Sequence, residues 1–189
     1  RHAGWIAAAS AVASTNETDP PHIILMPEVP FAKKKFIDKV KQTVASEGFC
    51  VVVASEGTRY KNGMFLADSG LKDAFGHKQL GGVAPVLAQM ISSIGLKNHW
   101  AVSDYLQRSA RHISSKTDLD QAYAVGTKAV EFALAGKNAV MPVIKRLSNK
   151  PYKWKVESAS LSKVANVEKT LPKGYISKDG FGITNKGID

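Results

Sequence analysis

The sequence predicts a three-layer α/β fold, with a mostly parallel sheet and helices on both of its faces. Short apolar runs rich in β-branched residues, typical of strands buried on both faces, occur at residues 22–26, 49–54 and 138–144. Amphipathic segments with helical spacing lie between these runs. Such alternation of strands and helices is typical of three-layer α/β domains.

The first two helices are predicted from apolar residues near the start of the chain. Residues 5–12 are apolar but too few to span a membrane, and they lack the basic region of a signal peptide. We therefore predict a buried helix there. Phe36, Val40 and Val44 recur every four residues in a lysine-rich stretch and predict a second helix.

Two further helices have clear boundary residues. Residues 83–94 follow the i, i+3, i+4, i+7 pattern, with Gly81-Gly82 before them and Gly95 after them. The next helix is predicted to begin with Thr117-Asp118 as its cap and to end at Gly136.

The C-terminal part has a different pattern. Tyr152, Trp154 and Val156 alternate with lysines, which is the period of a half-exposed strand. A turn at 148–151 precedes this strand, so we expect it to pair antiparallel with 138–146. From residue 158 the chain is polar and glycine-rich.

Charge and cysteine content restrict the function classes. The formal charge of the 189 residues is +10, from 26 basic and 16 acidic side chains. The lysines are scattered, whereas a nucleic-acid-binding module needs clustered basic residues with interleaved aromatics. A solvated surface and an attractive field for an anionic substrate remain as explanations. Cys50, the only cysteine, excludes an internal disulfide and is typical of a reducing cytoplasm.

Ligands of open α/β sheets bind at the carboxyl ends of the strands, and three segments follow predicted strands. Residues 27–30 follow the first, residues 55–59 follow the second, and residues 105–108 are the third. In the second segment the Glu56 carboxylate would accept hydrogen bonds from a ligand. Arg108 follows an expected strand at 97–103, within a basic cluster suited to phosphate. A surface carboxylate and a solvated basic loop are the alternatives.

Other site types have little support in the sequence. The five histidines and Cys50 have no metal-ligand spacing, and Gly81-Gly82 lacks the Lys-Ser/Thr of a P-loop. Arg1, at the start of the first helix, suits a phosphoryl group but is weak evidence alone. The residues themselves therefore indicate an α/β domain with an anionic ligand at the strand ends.

Five sequence blocks occur in a characteristic order: RHAGWIAAASAVAS, HIILMPEVPF, CVVVASEGTR, DAFGHKQLGG and DYLQRSARH. Together they resemble the 6-phosphofructokinase family, and RHAG resembles the part of its MGRxxG motif that follows Met-Gly. The resemblance covers residues 1–145 and implies a sugar-phosphate-binding domain there, corresponding to the second domain of that fold. Residues 146–189 would form a C-terminal strand and an irregular tail. The chain thus resembles a C-terminal portion of a longer enzyme.

The resemblance implies six substrate-binding residues: Arg1, Glu56, Tyr105, Leu106, Gln107 and Arg108. Arg1 would contact the transferring phosphoryl group, Glu56 the hydroxyls of fructose 6-phosphate, and Arg108 its 6-phosphate. Tyr105 stands where many ATP-using members have histidine. Asp104 and residues 109–111 replace glycines that commonly flank this block, so the geometry of the loop is open.

The implied reaction is reversible phosphoryl transfer from pyrophosphate to the 1-hydroxyl of fructose 6-phosphate, giving fructose 1,6-bisphosphate in glycolysis. Mg²⁺ would be the cofactor, in a cytoplasmic dimer or tetramer without nucleic-acid or membrane partners. The family's catalytic base, metal ligands and donor loop precede Arg1, so we expect none of them here and an inactive chain when it is expressed alone. An ATP-dependent enzyme and a non-catalytic family subunit are the alternatives.

Overall fold

The computed structural model describes residues 2–16, 18–72, 78–80 and 82–188, and the side chains of 69–72, 78–80 and 107–108 are not described. The chain divides into two compact units. The first unit contains Arg1–Val102 and Lys169–Asp189, and the second contains Ser103–Glu168. These bounds differ from the predicted division at residue 145, which stays a prediction.

A short parallel sheet lies at the centre of the first unit. Strand β1 (Ile23–Leu25) pairs in parallel with strand β2 (Val52–Ala54), in the register Ile23 to Val52. The backbone N–H of Ser55 continues the ladder by donating to the carbonyl of Leu25 (2.9 Å). Two of the predicted strands and their parallel orientation are therefore confirmed.

Helices cover both faces of β1 because its successive side chains point to opposite sides. Ile23 and Leu25 pack with residues of helix α2 (Lys33–Glu47) and helix α3 (Val83–Ser92). Ile24 and Met26 pack on the other face with helix α1 (Trp5–Ala9), which a 3₁₀ turn, Ser10–Ala13, extends. The three side chains of β1 and that of Met26, which follows it, are at most 5% exposed. This arrangement is the predicted layering of helix, sheet and helix.

The helices of the first unit follow the predicted periodicity with one correction. Helix α2 buries Phe36 and Val40, and α3 lies between Gly82 and Gly95 as predicted. Helix α1 is not buried all round: its small residues face the core, whereas Ile6 is 90% exposed. Alanine spacing, rather than the larger apolar residues, determines which side of α1 packs.

Residues 169–188 fold back onto β1 and are part of this unit. The N–H of Ile24 donates to the carbonyl of Phe181 (2.7 Å), and the Lys39 ammonium lies 3.3 Å from the Asp179 carboxylate. Burial alone would raise the pKa of Asp179, but hydrogen bonds from Ser177 and Phe181 and the Lys39 charge outweigh burial and lower it. The segment contains a 3₁₀ turn at Lys173–Tyr175 and helix α7 (Asn185–Ile188).

A second, antiparallel pair also belongs to the first unit. Strand β3 (Asp68–Lys72) pairs with strand β4 (Lys78–Leu80). The DAFGHKQLGG block begins at residue 73, and 73–77 and 81 lie outside the described residues. Residues 97–103 form no strand and have no strand partner among the described residues, so the strand expected there is wrong. Their apolar side chains Trp100 and Val102 are more than half exposed.

The second unit contains helix α5 (Lys116–Leu134) and a long hairpin of β5 (Val140–Asn149) and β6 (Tyr152–Ser160). The antiparallel pairing is the predicted one, with Ile144 opposite Val156. The expectation that the β5 region is buried on both faces is wrong, because its residues are half-buried or exposed. Its only strand partner among the described residues is β6.

Short helices flank these elements: α4 (Leu106–Ser109), a 3₁₀ turn (Arg111–Ile113) and α6 (Leu161–Val164). Helix α5 begins one residue before the expected cap. Ser115 is its N-cap, with a hydroxyl that accepts from the Asp118 N–H (3.0 Å). In the described part of the chain, none of the helices is long and apolar enough to cross a membrane.

Candidate functional site

Glu56 lies at the tip of a tight turn that follows β2. The buried Thr58 hydroxyl donates to the Ser55 carbonyl (2.7 Å), and the Thr58 N–H donates to the same oxygen (3.1 Å). The Ser55 hydroxyl accepts from the Gly57 N–H (3.3 Å). Since Ser55 is itself bonded to β1, the turn is fixed to the sheet.

The Glu56 side chain takes no part in the hydrogen bonds that hold this turn. Glu56 is exposed, and it makes no hydrogen bond or ion pair with any residue that the structure describes. An exposed carboxylate on a fixed turn is well placed to accept hydrogen bonds from ligand hydroxyls without rearrangement. Glu56 lies two residues after the end of β2, and its role as a ligand-binding residue stays a prediction.

Three side chains beside this turn form an aromatic and cationic group. The Arg59 guanidinium lies 5.0 Å from the centre of the Phe65 ring. The same ring contacts His2, with 5.8 Å between ring centroids. Arg1 precedes His2 and lies outside the described residues, so its predicted role is untested. Arg59 ends the segment at residues 55–59 that follows the second predicted strand, but the sequence indicated no individual role for it.

Glu28, the other strand-end carboxylate, has a structural function in this unit. Its Oε1 accepts from the backbone N–H of Gly4 (2.9 Å) and from that of Leu171 (2.8 Å). A Cβ atom on Gly4 would lie only 2.7 Å from Oε2, so a larger residue there would require the Glu28 carboxylate to shift. Glu28 therefore ties the start of α1 and the C-terminal segment to the end of β1. One carboxylate oxygen is engaged and the other is buried, whereas Glu56 is exposed, so Glu28 is less accessible to a ligand than Glu56.

Replacing Glu28 with alanine should destabilise the full-length protein by about 2–4 kcal/mol, because two partly buried N–H groups lose their charged acceptor. The melting temperature should fall by several degrees. Glu47→Ala, which removes an exposed carboxylate at the end of α2, is the matched control and should leave the melting temperature nearly unchanged. Equal melting temperatures for the two variants would contradict this role of Glu28.

The remaining predicted site residues lie in the second unit. Tyr105 is 62% exposed and Leu106 66% exposed, at the start of α4. The Leu106 N–H donates to the Ser103 carbonyl (2.7 Å) and begins this single helical turn. Gln107 and Arg108 continue α4, and their side chains are outside the description. This segment follows an irregular stretch, not the strand that the sequence predicted.

Asp104 explains how this segment forms without the glycine common in the family. Its φ is +45°, in the left-handed region that glycine favours and that aspartate tolerates better than most residues. The chain therefore adopts a glycine-like turn immediately before Tyr105. The replacement noted in the sequence preserves a sharp turn at this position.

Neither a nearby cavity nor a metal-ligand group extends the site. A cavity of about 80 Å³ next to Thr58 has mostly apolar walls and is too small for a sugar phosphate, since small-molecule pockets are roughly 300–1,000 Å³. Among the described residues, no group of three or more His, Cys, Asp or Glu side chains is arranged to hold a metal ion.

Comparison with known proteins gives the family of this chain. The profile of the family described as Phosphofructokinase matches residues 1–133, which is more than half of the sequence. The chain belongs to the phosphofructokinase family. The resemblance of the five sequence blocks is thereby confirmed.

Relatives in this family are similar over nearly the whole chain. The pyrophosphate–fructose 6-phosphate 1-phosphotransferase of Halomonas elongata is 60% identical over 187 residues, 98% of this chain and 45% of the relative. The protein of the same name from Methylococcus capsulatus is 56% identical over 185 residues, 97% of this chain and 44% of the relative. The chain thus spans less than half the length of these two phosphofructokinase relatives.

A solved phosphofructokinase confirms the predicted fold class. The crystal structure of the pyrophosphate-dependent phosphofructokinase from Marinobacter aquaeolei is 53% identical and superimposes with a TM-score of 0.79. The alignment covers 99% of this chain and 43% of that structure. The α/β layering seen around β1 is therefore that of part of a phosphofructokinase.

Proposed function

We propose that the full-length protein transfers a phosphoryl group reversibly from pyrophosphate to the 1-hydroxyl of fructose 6-phosphate. The products are fructose 1,6-bisphosphate and phosphate. One observation carries this proposal: 60% identity, over 98% of the chain, to a phosphotransferase named for these two substrates. Because the chain spans 45% of that relative, the activity belongs to the longer protein and not to this chain alone.

In this reaction the sugar O1 attacks one phosphorus atom of pyrophosphate. The O1–P bond forms as the bridging P–O bond breaks, and phosphate leaves while the O1 proton passes to a base. We place that base outside this chain. Such transfer depends on positioning and on positive charge around the phosphoryl group, more than on covalent chemistry by the protein.

This chain supplies the sugar-phosphate side of the proposed site. Glu56 accepts hydrogen bonds from sugar hydroxyls, and its exposed carboxylate on a fixed turn supports that role. Arg108 binds the 6-phosphate as a bidentate donor, with Tyr105 in the same segment. Arg1 binds the transferring phosphoryl group. Leu106 and Gln107 complete the binding segment on α4.

Magnesium is the proposed cofactor of the full-length enzyme, where it would neutralise charge on the phosphoryl oxygens. The described residues contain no group of three or more His, Cys, Asp or Glu side chains arranged to hold a metal ion, so we assign no Mg²⁺ ligand to them. No step of the proposed reaction is assigned to the ion. The proposal also includes a division of the chain into a sugar-phosphate domain at residues 1–145 and a C-terminal strand and irregular tail at 146–189. It places the enzyme in the cytoplasm as a homodimer or homotetramer.

The donor is tested by supplying pyrophosphate or ATP separately to the full-length protein at matched free Mg²⁺ and measuring fructose 1,6-bisphosphate. We expect a kcat/KM at least about 100-fold higher with pyrophosphate, a difference of about 2.8 kcal/mol in transition-state stabilisation. The reverse reaction, from fructose 1,6-bisphosphate and phosphate, should also be measurable. A preference for ATP would contradict the proposed donor, and no turnover with either donor would favour a non-catalytic subunit.

A further inference from the structure

Among the described residues of the first unit, Arg59 has a positive charge without a compensating partner. Its side chain is half-buried over the Phe65 ring, and its Nε is buried without a hydrogen-bond partner. Within residues 2–16, 18–72, 78–80 and 82–188, no carboxylate lies within ion-pair distance of the guanidinium. A partly desolvated charge with unused donors is costly unless something anionic approaches it.

The surroundings fix the direction and position of this side chain. The Arg59 carbonyl accepts from the Phe31 N–H (2.8 Å), and Arg59 pairs with Phe65 as an isolated antiparallel bridge. The Phe65 ring then holds the guanidinium from one side. Arg59 therefore lies on the same fixed turn as Glu56, three residues further along. Its remaining N–H groups are the donors available to a ligand.

We propose that Arg59 binds a phosphoryl group in the same site as Glu56, an inference that rests on the proposed function. A guanidinium presents its donors as a planar fork that matches two oxygens of a phosphoryl group. Packing on an aromatic face orients that fork and reduces the freedom lost on binding. The phosphoryl group belongs either to the sugar phosphate or to pyrophosphate and its product, inorganic phosphate.

The test compares Arg59→Gln, Arg59→Lys and a control, Lys61→Gln, in the full-length protein. Lys61 is exposed two residues further along, so the control removes the same charge from the same loop. KM is measured for fructose 6-phosphate and pyrophosphate in the forward direction and for inorganic phosphate in reverse. Thermal stabilisation by inorganic phosphate is recorded in parallel and does not depend on turnover.

We expect Arg59→Gln to raise KM for one of the three phosphoryl ligands by about 10- to 100-fold, as loss of a charged hydrogen bond predicts. The ligand affected identifies the source of the phosphoryl group. The KM of Arg59→Lys for that ligand should lie between those of the wild type and Arg59→Gln, because lysine keeps the charge but lacks the planar pair of donors. The KM values of Lys61→Gln should stay within about twofold of those of the wild type.

Two outcomes would overturn the proposal: KM values of Arg59→Gln equal to those of the control, or a fall in kcat alone with lower stability. If Arg59→Gln does not fold, Arg59→Lys decides the question, and wild-type phosphate binding by that variant would overturn the proposal. If the wild-type protein does not use pyrophosphate, the proposed function fails separately. Phosphate-dependent stabilisation then still shows whether Arg59 binds a phosphoryl group.

Discussion

Replacing Arg108 with alanine in the full-length protein should weaken fructose 6-phosphate binding by about 2–4 kcal/mol, or about 30- to 700-fold. The variant loses a bidentate, charge-assisted contact to the 6-phosphate, and the phosphate dianion loses its main cation. KM for pyrophosphate should change far less, since the lost contact is to the sugar phosphate. Steady-state kinetics with each substrate varied separately measures both effects.

Arg111→Ala is the matched control for Arg108. Arg111 is an exposed arginine three residues further along, in the 3₁₀ turn after α4. Its replacement should leave KM for fructose 6-phosphate nearly unchanged. Glu56→Gln should have a smaller effect than Arg108→Ala, because the amide keeps one acceptor oxygen, although it loses the charge and replaces the second oxygen with an NH₂ donor. If Arg108→Ala and Arg111→Ala had the same KM for fructose 6-phosphate, Arg108 would not be a phosphate ligand.

Local patterns were sufficient to predict the centre of the first unit. The apolar runs at β1 and β2 predicted a parallel pair because strands buried on both faces require continuous hydrophobicity. Gly82 and Gly95 bounded α3 because both have positive φ, a conformation that other residues rarely adopt. Glu56 was predicted as a site residue because a carboxylate directly after such a strand lies at the ligand-binding edge.

The predictions that were wrong or missing depend on contacts between residues distant in sequence. Glu28 bonds to Leu171, 143 residues away, and no local pattern indicates that partner. The stretch 97–103 has apolar residues suited to a strand, but a strand also needs a hydrogen-bonded neighbour, which the sequence does not specify. Arg59 lay in a candidate segment without a predicted role for a similar reason, since its ring partner Phe65 becomes evident only in the folded turn.

Expressed alone, the 189-residue chain should show no phosphoryl transfer with pyrophosphate or ATP. A general base working near neutral pH is commonly a carboxylate with a raised pKa, or a histidine. Each described carboxylate with a clear pKa shift has a pKa below its ordinary value, which is the opposite of what a general base needs. Hydrogen bonds from Thr15 lower the pKa of Asp19, those from Lys155 and Lys145 lower that of Glu157, and Asp179 is lowered likewise.

The exposed apolar surface supports the same expectation. Helix α5 has no buried residues, and its Tyr123 and Leu134 are 82% and 84% exposed. Apolar side chains grouped on one helix normally pack against further protein, and the chain spans only 45% of its Halomonas relative. The separate chain should therefore be poorly soluble as well as inactive.

The measurement follows fructose 1,6-bisphosphate formation by equal molar amounts of the separate chain and of the full-length protein. The full-length protein is the positive control, and heat-denatured full-length protein sets the background. We expect the separate chain to remain at the background rate with either donor. Turnover above background would contradict this prediction, because it would mean that the base and donor-binding groups lie within these 189 residues. The acidic residues of the first unit, beginning with Glu28 and Glu56, would then have to be tested as that base.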